Sequence, residues 1–164
     1  MKKGYSVIEV VLVMFLLITF GIAAFALVYI GGNSYERMTN EKNAEAELRI
    51  AVSYAETRLR KYDRTNGFRI DQTPDRTGNA LVFNDFANGI DYETWVFWYD
   101  GKLIEIITEK DKKFNPDDGF EIAAVDSFDI SFNSKRNEVV IKASITSNGK
   151  EKTLETIYSI KSGR

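Results

Sequence analysis

The carboxylate of Glu9 stands at the start of a long apolar segment, where an acidic side chain is unexpected. The segment Val10–Ile30, VVLVMFLLITFGIAAFALVYI, contains no charged residue. An acid at membrane depth costs about 2.5–3.5 kcal/mol on insertion scales, so its presence here indicates a function. The chemistry that it offers is an ion pair with a cationic group in a low-dielectric environment.

Two neighbouring aspartates, Asp117 and Asp118, are the weak candidates for a metal site. They lie in KDKKFNPDDG (residues 110–119), and their carboxylate oxygens would suit calcium. The segment lacks the repeated acids of a calcium-binding loop, so we favour a charged turn after Pro116 and predict no metal.

The missing residue types exclude most other chemistry. The chain has no histidine and no cysteine, which excludes imidazole and thiolate metal sites, disulfides, cysteine nucleophiles and histidine-dependent triads. Carboxylate-only hydrolysis stays open, but no acid pair stands out among 24 acidic residues, and there is no glycine-rich phosphate loop. We therefore predict no enzyme activity and no cofactor. A net charge of -2 gives no indication of nucleic-acid binding.

Four clustered aromatic residues, Trp95, Phe97, Trp98 and Tyr99, could form a binding surface for a sugar or a partner protein. Since neighbouring strand residues point to opposite faces, only Trp95, Phe97 and Tyr99 can share one side. We favour a core role for them over a binding surface.

The elements that must position these residues begin with a membrane helix. As a helix, Val10–Ile30 covers about 30 Å, which is the thickness of the hydrocarbon core. Lys2 and Lys3 precede it, whereas the charges that follow Ile30 cancel. The positive-inside rule therefore predicts a cytoplasmic N-terminus and an extracytoplasmic remainder.

Three simple interpretations of this segment compete. A plain single-pass anchor explains the length but leaves Glu9 without a role. A secretory signal could be cleaved at the AFA of residues 24–26, but the apolar run continues beyond it and an acid lies inside it. A buried helix of a soluble protein is disfavoured because the segment has no polar face.

The segment KKGYSVIE (residues 2–9) resembles the prepilin-type signal of type IV pilins and type II secretion pseudopilins. That signal is a short basic leader ending in Gly, followed by an aromatic residue and by Glu at the fifth mature position. Tyr5 stands where Phe is usual, and SVIE where TLIE is frequent. The resemblance implies cleavage between Gly4 and Tyr5 by a prepilin peptidase, and N-methylation of Tyr5.

Cleavage would create a cationic amino group four residues before Glu9. Residues i and i+4 are neighbours on a helix, so pairing within one chain is conceivable. The resemblance implies pairing with the N-terminus of a neighbouring subunit in a filament. In either case Glu9 serves assembly, and we expect Glu9→Ala to spare membrane insertion but impair incorporation into filaments.

Beyond the apolar segment, Gly31 and Gly32 weaken the helix by about 1 kcal/mol each against Ala. They mark either a hinge or simply the point where the helix leaves the lipid. Ser34 is a candidate cap for a helix that restarts there, and the alternative is one continuous helix from Tyr5 to Tyr62. An amphipathic helix then extends to Tyr62, with an apolar stripe at helical spacing: Leu48, Ala51, Val52, Ala55, Leu59 and Tyr62.

Short apolar stretches separated by turn residues follow, which is typical of an antiparallel sheet. The candidate strands are 79–83, 92–99, 102–108, 120–125, 128–132, 139–146 and 152–160. Asp100-Gly101 and Asn148-Gly149 are predicted two-residue hairpin turns.

These patterns predict an α+β fold, in which a long N-terminal helix, half in the membrane and half amphipathic, packs on an antiparallel β-sheet head. The resemblance implies the lollipop arrangement of pilins. We expect four segments: a leader (1–4), a transmembrane and polymerisation helix (5–30), a hinge with the amphipathic helix (31–63), and an extracytoplasmic β-rich head (64–164).

The resulting hypothesis is a minor type IV pilin or pseudopilin, a structural subunit of an extracytoplasmic filament. The implied partners are other pilin subunits, the prepilin peptidase, the assembly platform and membrane lipid. A helix without proline favours a minor over a major subunit, as does a looser similarity of WVFWYDGKLIE (95–105) to minor pilin-like proteins of Gram-positive systems. J-type minor pseudopilins share the general layout. The competing hypothesis is a membrane-anchored binding protein, such as an adhesin or a sensor, that never polymerises.

Overall fold

The structure, a computed structural model, describes residues 7–64 and 66–161. A long helix, α1 (Val7–Tyr62), is followed by eight strands among these residues. The strands are β1 (Phe68–Gln72), β2 (Asn79–Ala87), β3 (Ile90–Tyr99), β4 (Lys102–Glu109), β5 (Phe120–Ala124), β6 (Ser127–Asn133), β7 (Glu138–Ser147) and β8 (Lys150–Ser159). This order of elements confirms the predicted α+β fold class.

The helix α1 continues through Gly31, Gly32 and Ser34, so of the two alternatives the helix is continuous here and Ser34 caps no restart. Each Gly costs about 1 kcal/mol, but extending an existing helix adds a backbone hydrogen bond per residue and avoids a second costly nucleation. Just beyond, the hydroxyl of Thr39 donates to the carbonyl of Tyr35 at 3.0 Å, so this hydroxyl is satisfied within the helix.

The chain divides into two compact units, residues 1–40 and 41–164. In the first unit, the side chains of residues 7–38 are all exposed. The second unit, called the head unit below, contains the end of α1 and all the strands described.

Within the head unit, α1 buries one stripe at a spacing of three and four residues: Ala44, Leu48, Ala51, Val52, Ala55, Leu59 and Tyr62. The six residues predicted for this stripe are all buried, and Ala44 extends it by one turn.

The strands form two antiparallel sheets, β1-β2-β3-β4-β5 and β6-β7-β8, each in sequential order. Three two-residue turns have positive φ at both central positions: Asn88-Gly89, Asp100-Gly101 and Asn148-Gly149. Such turns match the right-handed twist of a hairpin, which is why Asn-Gly and Asp-Gly are preferred there. The two hairpins predicted at Asp100-Gly101 and Asn148-Gly149 are confirmed.

The main core joins the α1 stripe to both sheets. Its strand residues include Phe68, Leu81, Phe83, Val96 and Leu103 from the first sheet and Ile130, Val139, Ile141 and Ala143 from the second. A smaller core lies on the other face of the first sheet and contains Ala80, Val82, Phe97, Ile104 and Ile106. The first sheet is therefore covered on both faces.

Candidate functional site

The predicted cleavage and methylation positions, Gly4 and Tyr5, lie outside the described residues. Glu9 lies in the first turn of α1 and is exposed. A carboxylate in this turn interacts favourably with the positive end of the helix dipole, which gives Glu9 a local stabilising effect.

No described residue covers the apolar segment after Glu9. Its large side chains are exposed throughout, from Val10 at 49% to Phe25 at 77%. Among the described residues, α1 is the one helix long and apolar enough to cross a membrane, with a mean hydropathy of 2.9 in its most apolar window. The helix could therefore span a membrane by its length and composition.

Polar groups in this segment differ in how they are satisfied. The hydroxyl of Thr19 donates to the carbonyl of Phe15 at 2.6 Å, so it adds no unpaired donor in an apolar environment. The carboxylate of Glu9 makes no hydrogen bond or ion pair with any described residue. Within residues 7–30, Glu9 is the one charged side chain, and no described residue neutralises it.

Gly31 and Gly32 are not required by packing within the chain. A Cβ built at either position meets nothing within 4 Å. The structure therefore gives no steric reason for glycine here, and the hinge predicted at these residues stays a prediction.

The aromatic cluster of β3 is core, as favoured from the sequence. Trp98 packs against the main core and donates its Nε1–H to the carbonyl of Val125 at 2.8 Å. Trp95 and Tyr99 pack on the opposite face, against the smaller core that contains Phe97. The alternation predicted for these four residues is confirmed.

The loop of residues 110–119 packs on this smaller core through Phe114. The ring of Phe114 lies 5.4 Å from that of Trp95 and 6.2 Å from that of Phe97, centroid to centroid. At Gly119 a Cβ would come within 2.8 Å of Ile104 Cδ1, so only glycine allows this close approach of the loop to the sheet. The sequence analysis assigned no role to Phe114, although a lone aromatic residue among charges is a signal for such a contact.

Asp117 and Asp118 belong to this loop. They form a 3-10 turn with Pro116, in which the Asn115 side chain accepts from the backbone N–H of Asp117 at 3.3 Å. A hydrogen bond from the Tyr99 hydroxyl to Asp117 raises the pKa of Tyr99. Across residues 7–64 and 66–161, no three acidic side chains converge into a set that could hold a metal ion. Asp117 and Asp118 therefore belong to a turn that the Asn115 side chain caps.

Sequence reasoning missed the polar contacts that fix α1 on the sheets. Arg58 forms an ion pair with Glu105 of β4 at 2.8 Å, and burial raises the pKa of the Glu105 carboxyl. Glu47 accepts from the backbone N–H of Ala124 at 2.9 Å, which satisfies an edge-strand donor. These partners are far apart in sequence, so no local pattern marks them.

Comparison with known proteins gives one match. No curated protein and no solved structure matches the chain. A family model described as a domain of unknown function, DUF4860, matches residues 46–147. The match starts in the amphipathic part of α1, ends in β7 and covers more than half of the chain. The chain therefore belongs to the DUF4860 family.

Proposed function

We propose that this protein is a minor type IV pilin or pseudopilin, a structural and non-catalytic subunit of an extracytoplasmic filament. A prepilin peptidase removes residues 1–4 and the new N-terminus at Tyr5 is methylated. The apolar part of α1 then leaves the lipid and enters the filament together with the helices of other subunits.

The observation that carries the proposal is the position of Glu9. Its carboxylate lies at the start of a fully exposed apolar helix and has no partner among the described residues. In lipid or in a packed bundle of helices, such a charge is tolerated only when a cation meets it, because the surroundings solvate it poorly. Cleavage after Gly4 supplies that cation as a free amino group.

The membrane topology follows from the same segment. The helix could span the bilayer, and Lys2 and Lys3 lie on its N-terminal side. We propose that this side is cytoplasmic and that the head unit lies outside the membrane, first at the cell surface and then in the filament.

The experiment that tests the proposal measures incorporation into filaments. Cells with a complete filament system produce the wild-type chain, Glu9→Ala, Glu9→Gln or Glu36→Ala, and the chain is quantified in membranes and in sheared filaments. Glu36 is the matched control, because it is an acid on the same helix beyond the apolar segment.

We expect all four chains in the membrane, since removing a charge from an apolar helix does not weaken insertion. Both Glu9 variants should be depleted from filaments, and Glu36→Ala should match the wild type. Equal incorporation of all four chains would refute a role for Glu9 in assembly. A wild-type chain found in membranes but never in filaments would favour a membrane-anchored binding protein.

A further inference from the structure

The course of α1 through the head unit defines two ends. At the entry end, where this part of the helix begins, the side chain of Asn148 donates to Glu41 at 3.5 Å. At the exit end, where the helix stops, the Tyr62 hydroxyl donates to Asp85 of β2. The turns of the head unit lie at one end or the other, and the loop of residues 110–119 crosses between them.

The exit end is basic. It contains the connecting segments 63–67, 88–89, 110–112, 134–137 and 160–161. Backbone hydrogen bonds hold them together: Lys110 donates to Asp91 at 2.9 Å and Ile160 to Asn137 at 3.0 Å. The basic residues of these segments are Arg64, Lys110, Lys112, Lys135, Arg136 and Lys161, and the acids are Asp63 and Asp111.

Two of these six basic side chains lie near an acid among the described residues. Lys112 is paired with Glu109 at 2.6 Å, and Arg64 lies 3.8 Å from Asp85. The other four basic side chains of the exit end make no salt bridge with a described residue.

The entry end is acidic. It contains the segments 73–78, 100–101, 115–119, 125–126 and 148–149, whose acids are Asp75, Asp100, Asp117, Asp118 and Asp126 and whose one basic residue is Arg76. Segments of this end meet in space: the backbone N–H of Val125 donates to the carbonyl of Gly101 at 3.1 Å, and Thr73, Thr77 and Asp126 line one cavity. The acids of these segments therefore lie close enough together to create a common negative potential.

The loop KDKKFNPDDG runs from one end to the other. It leaves the exit end at Lys110, crosses the sheet where Phe114 packs on Trp95, and reaches the entry end at Asp117. Its basic residues come before Phe114 and its paired aspartates come after it. The fold thus places opposite charges of one loop at opposite ends of the head unit.

The exit end also has an apolar contact point. Phe86, two residues before the turn Asn88-Gly89, is 72% exposed. An exposed aromatic side chain within a charged rim is the composition of a docking surface, in which the aromatic residue supplies affinity and the charges supply orientation.

We propose that the two ends of the head unit are complementary docking faces, and that the exit end of one copy binds the entry end of a second copy. Opposite charges favour this head-to-tail pairing, whereas like charges oppose contact between two exit ends or two entry ends. A contact between different faces of identical copies repeats without closing and so builds a linear array. The proposal requires neither cleavage after Gly4 nor a role for Glu9, so it stands or fails separately from the proposed function.

The chain has no cysteine, which allows a direct test by disulfide crosslinking. Full-length Lys135→Cys and Asp118→Cys chains, carrying different tags, are mixed in mild detergent and oxidised. Lys135 marks the exit end and Asp118 the entry end. Neither side chain makes a hydrogen bond or an ion pair with a described residue, so both variants should keep the fold, which tryptophan fluorescence checks.

We expect the mixed disulfide to dominate over the two same-end disulfides. Its yield should fall several-fold between about 0.1 M and about 1 M salt, as the screening length drops from about 10 Å to about 3 Å. Statistical proportions of the three disulfides, or an excess of a same-end product, would overturn the proposal.

A charge exchange provides a second, independent measurement. Adding Arg136→Glu to the Lys135→Cys chain should lower the yield of the mixed disulfide, because it places an acid against an acidic face. Adding Asp75→Lys to the Asp118→Cys chain should then recover part of that yield. When the Lys135→Cys chain keeps Arg136, Asp75→Lys in the Asp118→Cys chain should not increase the yield of the mixed disulfide. If the yield of the mixed disulfide stays the same after both charge changes, electrostatic docking of the two ends is contradicted.

Discussion

The packing of Phe114 on the outer face of the first sheet makes a quantitative prediction about the head unit. Truncating a fully buried Phe to Ala costs about 3–5 kcal/mol. Phe114 is half-buried, and each of its two ring contacts, with Trp95 and Phe97, is worth about 0.5–1.5 kcal/mol beyond area burial. We therefore expect Phe114→Ala to lower the free energy of unfolding by about 2–3 kcal/mol.

The matched control is Phe120→Ala. Phe120 lies six positions further along, at the start of β5, and is 74% exposed. Its truncation removes little buried area, so the change in the free energy of unfolding should stay within about 0.5 kcal/mol.

Urea denaturation of the full-length chain in detergent measures both variants. The two tryptophans, Trp95 and Trp98, lie in the head unit, so their fluorescence reports its unfolding. With a slope of about 2 kcal/mol per molar urea, Phe114→Ala should shift the midpoint down by about 1 M. If the two variants shift the midpoint equally, the loop does not cover the sheet and the reasoning fails.

Two further predictions concern polar contacts of the head unit. The side chain of Arg58 is 24% exposed and that of its partner Glu105 is 10% exposed. Arg58→Ala leaves this carboxylate unpaired and should lower the free energy of unfolding, measured by urea denaturation, by about 2–4 kcal/mol. Arg60→Ala removes an exposed i,i+4 pair with Glu56 and should lower it by less than about 0.5 kcal/mol. Equal losses for the two variants would contradict the structure. Burial and the hydrogen bond to Asp63 raise the pKa of Tyr158 to about 12. Because the pKa is higher in the folded than in the unfolded state, this contact stabilises the fold below about pH 10 and is lost towards pH 12. An ultraviolet titration should show, besides the raised pKa of Tyr99, a phenol that titrates near pH 12 and that Tyr158→Phe removes. An unchanged titration curve would refute this assignment.

Local patterns were sufficient to predict much of this fold. The stripe of α1 follows from the spacing of Leu48, Ala51, Val52, Ala55 and Leu59, because helical periodicity determines which residues share a face. The hairpins at Asp100-Gly101 and Asn148-Gly149 follow from turn chemistry, since both central residues need positive φ.

Other elements have weaker local signals. Strand β1, FRIDQ, has apolar residues only at Phe68 and Ile70, because it is an edge strand with one half-exposed face. The turn Asn88-Gly89 was missed although its chemistry is the same as that of the other two hairpins. The sequence left open whether the helix restarts at Ser34 or continues, and it continues because helix propagation outweighs the local cost of two glycines.

The candidate site likewise contains some features that adjacent residues predict and others that depend on the three-dimensional fold. The location of Glu9 in an apolar helix depends on adjacent residues and could be predicted. The contact of Phe114 with Trp95 and the ion pair of Arg58 with Glu105 join distant segments, so they depend on the three-dimensional fold. The opposite charges of the two ends of the head unit likewise emerge only when the turns are gathered in space.

The central claim is that proteolysis supplies the cation that neutralises Glu9, and one measurement tests it directly. Intact-mass and N-terminal peptide analysis of the chain, purified from membranes that contain a prepilin peptidase, identifies its first residue. We predict a mature chain that begins at N-methylated Tyr5. A chain that keeps Met1–Gly4, or that begins at Leu27 after cleavage behind AFA, would contradict the account.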